Sequence, residues 1–496
     1  MKNCFKKIFC TLLTCCLLLS LAACGNGNST NTDNLSVSNS ADAENNAKGG
    51  DIVHIKTPED LLALAERVNN SEKNVSAVLD ADINMSGICG PSVGNWTPIK
   101  SMEGDFDGNG HKISNLYCVQ SDSAAPFTDF RGSIKNLEIA DVVMESTEGK
   151  AAGLLTGFGG NGGVIENCRV SGSVKGYKEA GGITTYIGKN SIVNSVNEAY
   201  VEAGYYEKAR LHGYAGGIIS SQTSGVAQDS GTIRGCVNKG EINATGKYAG
   251  GIIGYCSDKV CIEDCVNEGN VHVGLDDFVG DNYIGGIAGN VGETTLINRC
   301  INTGEISGND KVGGIAGFSN YAIINCANHG NVNATSFNAA YGIVSNAKIG
   351  FVNCYNTGKI TTTAYAVGLG NSSSCVEANL YNYGTVTYSS DKYINLTDAV
   401  SWGDYALMNV WSRKGCVISA EDHDSDQEKY GTLETEFKDG TVLNELNSAV
   451  ENINSSTFTQ YDETVKMYLE KFKEECDYEM STWVAGSDGL PKFEWE

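Results

Sequence analysis

Two stretches carry the residues best suited to chemistry. E202-A-G-Y-Y-E-K-A-R-L-H-G-Y214 holds Tyr205, Tyr206, Arg210, His212 and Tyr214, and H272-V-G-L-D-D-F-V-G-D-N-Y283 holds Asp276, Asp277, Phe278, Asp281, Asn282 and Tyr283. Tyrosine presents a flat apolar face with a polar tip, while carboxylates and amides add acceptors and donors. That mixture suits a sugar ring, apolar on its faces and hydroxylated at its edges. Hydrolysis is an alternative use of the same groups. A glycosidase sets two carboxylates across the scissile bond, and Arg210 could neutralise a uronate or His212 carry a proton. Asp276 and Asp277 are adjacent, however, and on an extended chain they point apart. There is no H-E-x-x-H and no G-x-S-x-G nucleophile elbow. Binding is therefore favoured over catalysis, with solvated decoration of a structural protein as the remaining alternative.

Metal chemistry has little support. Asp276, Asp277 and Asp281 form one acidic run and D422-H-D-S-D-Q-E428 another. The second begins like an EF-hand loop, but Gln427 stands where the turn glycine belongs and Leu433 where the bidentate acid belongs. His212, His272 and His329 are scattered and make no ligand set. No cofactor is expected, structural calcium being the alternative.

Both loops interrupt a repeat, and the repeat must position them. Two landmarks alternate along the chain. One reads R299-C-I-N-T-G-E-I306, with relatives at N167-C-R-V-S-G-S-V174, N194-S-V-N-E-A-Y-V201, G235-C-V-N-K-G-E-I242, D264-C-V-N-E-G-N-V271, N325-C-A-N-H-G-N-V332, N353-C-Y-N-T-G-K-I360 and N379-L-Y-N-Y-G-T-V386. The other is a glycine before an aliphatic residue, at Gly153, Gly182, Gly217, Gly251, Gly286, Gly314, Gly342 and Gly368, spaced by 26 to 35 residues. Such a period, with short β-branched segments between Gly and Asn corners, marks a stacked solenoid. The expectation is an all-β parallel β-helix of eight or more coils, of right-handed sense, with Gly304-type positions taking positive φ at a corner. Compact coils need 8 to 10 residues from the end of one landmark to the next glycine, but Val201 to Gly217 takes 16 and Val271 to Gly286 takes 15. Both long loops leave at the same corner with one compact coil between them.

Cysteine follows the repeat. Of 18, four lie near the N-terminus, Cys24 follows, and 13 remain. Six of these (Cys168, Cys236, Cys265, Cys300, Cys326 and Cys354) share one register, with Ser195 and Leu380 in their place in two coils. Small apolar side chains stacked in an interior column explain the pattern better than disulfides or a metal. The Asn two residues later predicts a second column of amides bonded up and down the stack.

The flanks complete the organisation. MKNCFKK followed by IFCTLLTCCLLLSLAA reads as a signal peptide over residues 1–23. Residues 24–50, rich in Asn, Ser, Gly and Asp, read as a flexible tether. T57-P-E-D-L-L-A-L-A-E-R-V-N69 predicts a helix capped by Thr57 and Asp60, within an N-terminal cap and first coils over 51–150. Repeats follow over 151–396. Residues 397–496, with helical patterns at 441–453 and 462–476, are expected to cap the solenoid. The net charge of −25 becomes −28 once Lys2, Lys6 and Lys7 leave with the signal, which argues against nucleic acid or an anionic membrane surface as partner.

Two parts of the chain also resemble known families. Leu21-Ala22-Ala23-Cys24 resembles a bacterial lipobox, which implies that Cys24 is lipidated and anchors the mature chain outside the cell membrane. A249-G-G-I-I-G254, I165-E-N-C168 and the G-G-I-A-G runs at 285–289 and 313–317 resemble bacterial GLUG repeats. W96-T-P-I99 and G104-D-F-D-G-N-G-H-K-I-S-N-L116 match the segment that precedes such repeats. The resemblance spans most of 51–396. It implies a β-helical, surface-exposed bacterial protein and implies no catalytic set. The expected function is capture of a glycan or other extracellular polymer by a monomeric rod. A purely structural surface role, and a polysaccharide lyase or hydrolase, are the alternatives.

Overall fold

A computed structural model describes residues 51–204, 213–222, 230–257, 259–274, 282–335, 339–372, 376–388, 395–397, 399–400, 407–418, 431–476 and 478–496. From Ile52 to Thr432 the chain winds into a parallel β-solenoid of about 11 turns. Residues 51–150 are already coils of it, because Ile52–Ile55, Ser76–Leu79, Phe106–Asp107 and Ile134–Lys135 stack in order beneath the strand Asn161–Glu166. A 32-stranded sheet carries most of the wall, and sheets of nine and six strands complete it. Every pairing between coils is parallel, so each strand pair joins residues one turn apart in the chain.

Each turn begins at the same backbone corner. The residue before the cysteine register has left-handed φ in most coils: 53° at Asn167, 49° at Asn194, 54° at Asp264, 53° at Asn325 and 57° at Asn353. Asn and Asp tolerate that region, which accounts for their recurrence. Arg299 takes it too, at 53°. The following side chain then turns inward and finds a carbonyl. Cys265 Sγ donates to the oxygen of Glu263 at 3.2 Å and Cys326 Sγ to that of Ile324 at 3.1 Å. Ser195 Oγ makes the same bond to Val193 at 3.0 Å, which is why Ser can replace Cys. All described cysteines are free. Burial pushes the Cys168 thiol up to about 12 and those of Cys236, Cys300 and Cys354 well above the usual range. These four are packed as thiols, and the last three alternate with Cys265 and Cys326, which hydrogen bonds from neighbouring thiols lower below the usual range despite their burial.

The two sequence landmarks prove to be the two sides of one interior contact. Asn197, Asn238, Asn267, Asn302, Asn328, Asn356 and Asn382 form a buried ladder in which each Nδ2 donates to the next Oδ1, at 2.7 to 2.8 Å. Each amide of the ladder also donates to the carbonyl two residues on, as Asn267 does to Gly269 at 2.8 Å. Gly251 lies against this ladder, and a Cβ there would collide with the Asn267 amide and the Gly286 carbonyl. The Gly304-type positions need a correction. Gly304 is not among the positive-φ residues; its lack of a Cβ lets the Gly269 carbonyl of the coil below approach. Left-handed φ belongs instead to the residue before each cysteine.

Both ends carry helices. α1, Pro58–Asn69, is capped as the sequence predicts: Thr57 Oγ1 accepts from the Asp60 amide at 3.2 Å, and Asp60 Oδ2 accepts from that of Thr57 at 2.9 Å. It buries Leu61, Leu64, Ala65 and Val68. The C-terminal cap holds α2 (Glu434–Lys438), α3 (Thr441–Asn454), α4 (Glu463–Glu475) and an antiparallel hairpin of Trp483–Ala485 with Pro491–Phe493. The cap lies along the flank of the last coils. Phe437, Leu446, Val450, Phe472, Trp483 and Phe493 pack on Val352, Tyr355, Val376, Ala378 and Tyr381. Polar contacts fix its register. Asn325 Oδ1 accepts from the Ser481 amide at 2.8 Å and Asn353 Oδ1 from Trp483 Nε1 at 2.7 Å.

Candidate functional site

The nine-stranded and six-stranded sheets meet at the corner formed by the G-G-aliphatic landmark. Tyr214, Tyr248, Tyr283 and Lys311 open successive strands of the nine-stranded sheet and are register partners. Ser221, Tyr255, Asn290 and Phe318 are register partners on the six-stranded sheet. Their neighbours Ala215, Ala249 and Ile284 point into the core, so alternation turns the first set outward. At a convex corner, outward side chains diverge. Here they converge: ring centroids lie 5.0 Å apart for Tyr248 and Tyr255, 5.2 Å for Tyr214 and Tyr255, and 5.3 Å for Tyr283 and Phe318. The corner is therefore re-entrant, a groove parallel to the solenoid axis. Glycine makes the fold tight enough, because a Cβ on Gly250 would collide with the Ile253 carbonyl across the bend.

The groove has an aromatic floor with polar ends. Tyr214 stacks on Tyr248 at 5.5 Å with the planes 4° apart, and Tyr248 meets Tyr283 at 5.7 Å. Tyr248 is 8% exposed; Tyr214, Tyr255, Tyr283 and Phe318 are half-buried. Burial, reinforced by Tyr248 and Tyr255, raises the Tyr214 phenol, which stays protonated and able to donate. Lys311 Nζ sits 4.8 Å from the Tyr283 ring centre and 3.3 Å from its hydroxyl, and Lys247 Nζ sits 5.3 Å from the Tyr248 ring centre. In the coil below Tyr214 stands Glu179, which accepts from Ser220 and Ser221 at 3.2 and 3.0 Å and pairs with Lys150 at 2.8 Å.

Of the residues singled out in the sequence, Tyr214 and Tyr283 are in this groove, with Tyr248 between them. Asn282 is wholly buried: its backbone N–H donates to Asp310 at 2.9 Å and its side-chain amide to Asn309 at 3.0 Å. Tyr205, Tyr206, Arg210, His212, Asp276, Asp277, Phe278 and Asp281 lie outside the described residues, as do Cys24 and the acidic run at 422–428. The two long loops do connect the same pair of sheets. Tyr200–Ala203, Ile242–Ala244 and Val271–Val273 stack on one side of them, and Tyr214–Gly216, Tyr248–Gly250 and Tyr283–Gly285 on the other. Tyr248, Tyr255, Phe318, Lys247 and Lys311 escaped the sequence reading because they sit in compact coils. Their signal was register: Tyr stands three residues before the landmark glycine at 214, 248 and 283. His272 is exposed and bonds Ser307 Oγ at 2.8 Å. Among the described residues no cluster of three or more His, Cys, Asp or Glu gathers as a metal site, and no helix is long and apolar enough to cross a membrane.

No family model matches the chain. No curated protein matches it either. One similar solved structure, from Bacteroides ovatus and named provisionally as an immunoglobulin A1 protease, shares 18% identity over 89% of this chain and 92% of its own, at a TM-score of 0.36. That likeness is too distant to bear on activity.

Proposed function

We propose that this chain is a lipid-anchored bacterial surface protein of the GLUG-repeat kind, and that its groove binds a glycan or another extracellular polymer. The carrying observation is the outward aromatic row from Tyr214 to Phe318, shared between two sheets. The solenoid interior is already filled by Ile, Val, Ala and Cys. Aromatic rings with phenol tips next to amide and hydroxyl groups match a sugar's apolar faces and hydroxyl edges. The basic head and apolar run before Cys24 support export and anchoring.

Native affinity electrophoresis of residues 25–496 tests this reading, in gels cast with pectin, xylan, mucin glycans or glycosaminoglycans. Retardation by at least one polymer, with its stain intact, is expected. Unchanged mobility in every gel contradicts glycan binding. A cleared track in the polymer stain contradicts binding without cleavage and favours the hydrolytic alternative.

A further inference from the structure

The groove has an internal period, and the period constrains the ligand. Five consecutive coils each contribute one side chain from each wall: Glu179 with Tyr186, Tyr214 with Ser221, Tyr248 with Tyr255, Tyr283 with Asn290, Lys311 with Phe318. Every one of these pairs contains an aromatic ring, and every one contains a second group able to hydrogen-bond or carry charge. Outside the five coils the pattern stops. Lys150 and Gly157 occupy the registers below Glu179 and Tyr186, and Ala339 follows Lys311 in the coil above. The unit is thus one ring and one polar group per coil, repeated five times along the axis.

We infer that the ligand is the interior of an unbranched, extended polysaccharide lying parallel to the solenoid axis, with one sugar per coil across five coils. This rests on the glycan-binding reading of the groove. A sugar advances an extended chain by about 5 Å, close to the strand spacing of about 4.8 Å, so rungs and sugars stay in step over a short run. The observed ring separations of 5.5 Å from Tyr214 to Tyr248 and 5.7 Å from Tyr248 to Tyr283 agree with that step. Among the described residues, neither end of the row is closed by a wall of bulky side chains. Ala339 at one end and Gly157 at the other leave room for the polymer to run on, so chain ends need not be recognised.

Calorimetric titration with xylo-, cello- and galacturono-oligosaccharides of two to eight sugars tests the inference. For the series that binds, affinity should rise roughly three- to tenfold with each sugar, the size of one aromatic contact, and level off at about five. Phe318→Ala removes the ring of the last coil, and the plateau should then fall to about four sugars with disaccharide affinity unchanged. Affinity independent of length from the disaccharide upward overturns the axial alignment while leaving glycan binding intact. Affinity still climbing at eight sugars, or a plateau unmoved by Phe318→Ala, also overturns it. Failure of every oligosaccharide, together with unretarded migration in every polymer gel, overturns the binding reading itself.

Discussion

Changing Asn267 to Asp alters no shape and removes one donor group, which makes it a direct probe of the buried ladder. Asn267 Nδ2 donates to Gly269 O at 2.8 Å and to Asn302 Oδ1 at 2.7 Å, while its Oδ1 accepts from Asn238 Nδ2 at 2.8 Å. A carboxylate there would face two acceptors with no water to intervene. The folded variant therefore keeps its proton, and its pKa rises above the unfolded value of about 3.9. The sign follows from proton counts. Below about pH 4 both states are protonated, and the cost is one lost donor, about 1–3 kcal/mol. Above that, the unfolded chain binds fewer protons than the native one, so stability falls as pH rises, by about 1.4 kcal/mol per unit up to the folded pKa. At pH 7 this adds about 4 kcal/mol, a large part of a typical stability of about 5–15 kcal/mol. Asn267→Ala, which removes the same groups without a titratable one, should cost about 3 kcal/mol at every pH. Urea denaturation followed by circular dichroism at pH 5, 6 and 7, on both variants and the parent, measures the difference. An Asp variant that tracks the Ala variant at all three values would show that the amide does not donate along the ladder.

Other expectations follow from the same contacts. Gly251→Ala drives a Cβ into the Asn267 amide and the Gly286 carbonyl, and should abolish cooperative melting, whereas Gly87→Ala, with open space around it, should stay within about 1 kcal/mol of the parent. Trp483→Phe removes one of the two donors to the buried Asn353 Oδ1, its Nε1 at 2.7 Å, and leaves Asn379 Nδ2 at 2.6 Å, at a cost of about 0.5–1.5 kcal/mol. Limited proteolysis should then release residues 431–496 faster and leave the coils intact; unchanged cleavage would contradict the docking described. The stacked thiols of the cysteine register should react slowly with a thiol reagent at pH 8 in the native protein and fully in urea. Rapid native labelling of Cys265 or Cys300 would contradict an interior column.

Much of this fold was legible because the repeat restates the same physical demand coil after coil. Asn-Cys gives a left-handed corner and an inward thiol, and Asn at the next register gives a ladder. Gly-Gly gives the clearance that the ladder requires. What was not legible was the contact between the two landmarks: spacing along the chain does not show that Gly251 and Asn267 face each other across the interior. Two of the three C-terminal helices were predicted close to their observed bounds, since α3 and α4 carry helical periodicity and Asp462 caps α4, accepting from Thr464 and Val465; the five-residue α2 was not. Their docking along the flank was not, because it depends on Asn325 and Asn353 being presented by stacked corners. The groove was half legible. Loop length drew attention to Tyr214 and Tyr283, but Tyr248, Tyr255 and Phe318 belong to compact coils, and only the three-dimensional register brings them together.

Binding of polymer at the aromatic groove is the central claim, and one comparison tests it most directly. A polysaccharide that retards the protein is immobilised, and surface plasmon resonance is recorded for the parent and for Tyr248→Ala/Tyr255→Ala, with thermal melts confirming that both are folded. The groove account predicts saturable binding by the parent and at least a tenfold weaker response from the double variant, as expected for two lost aromatic contacts. Equal binding by a folded double variant would contradict it and place the ligand elsewhere on the chain.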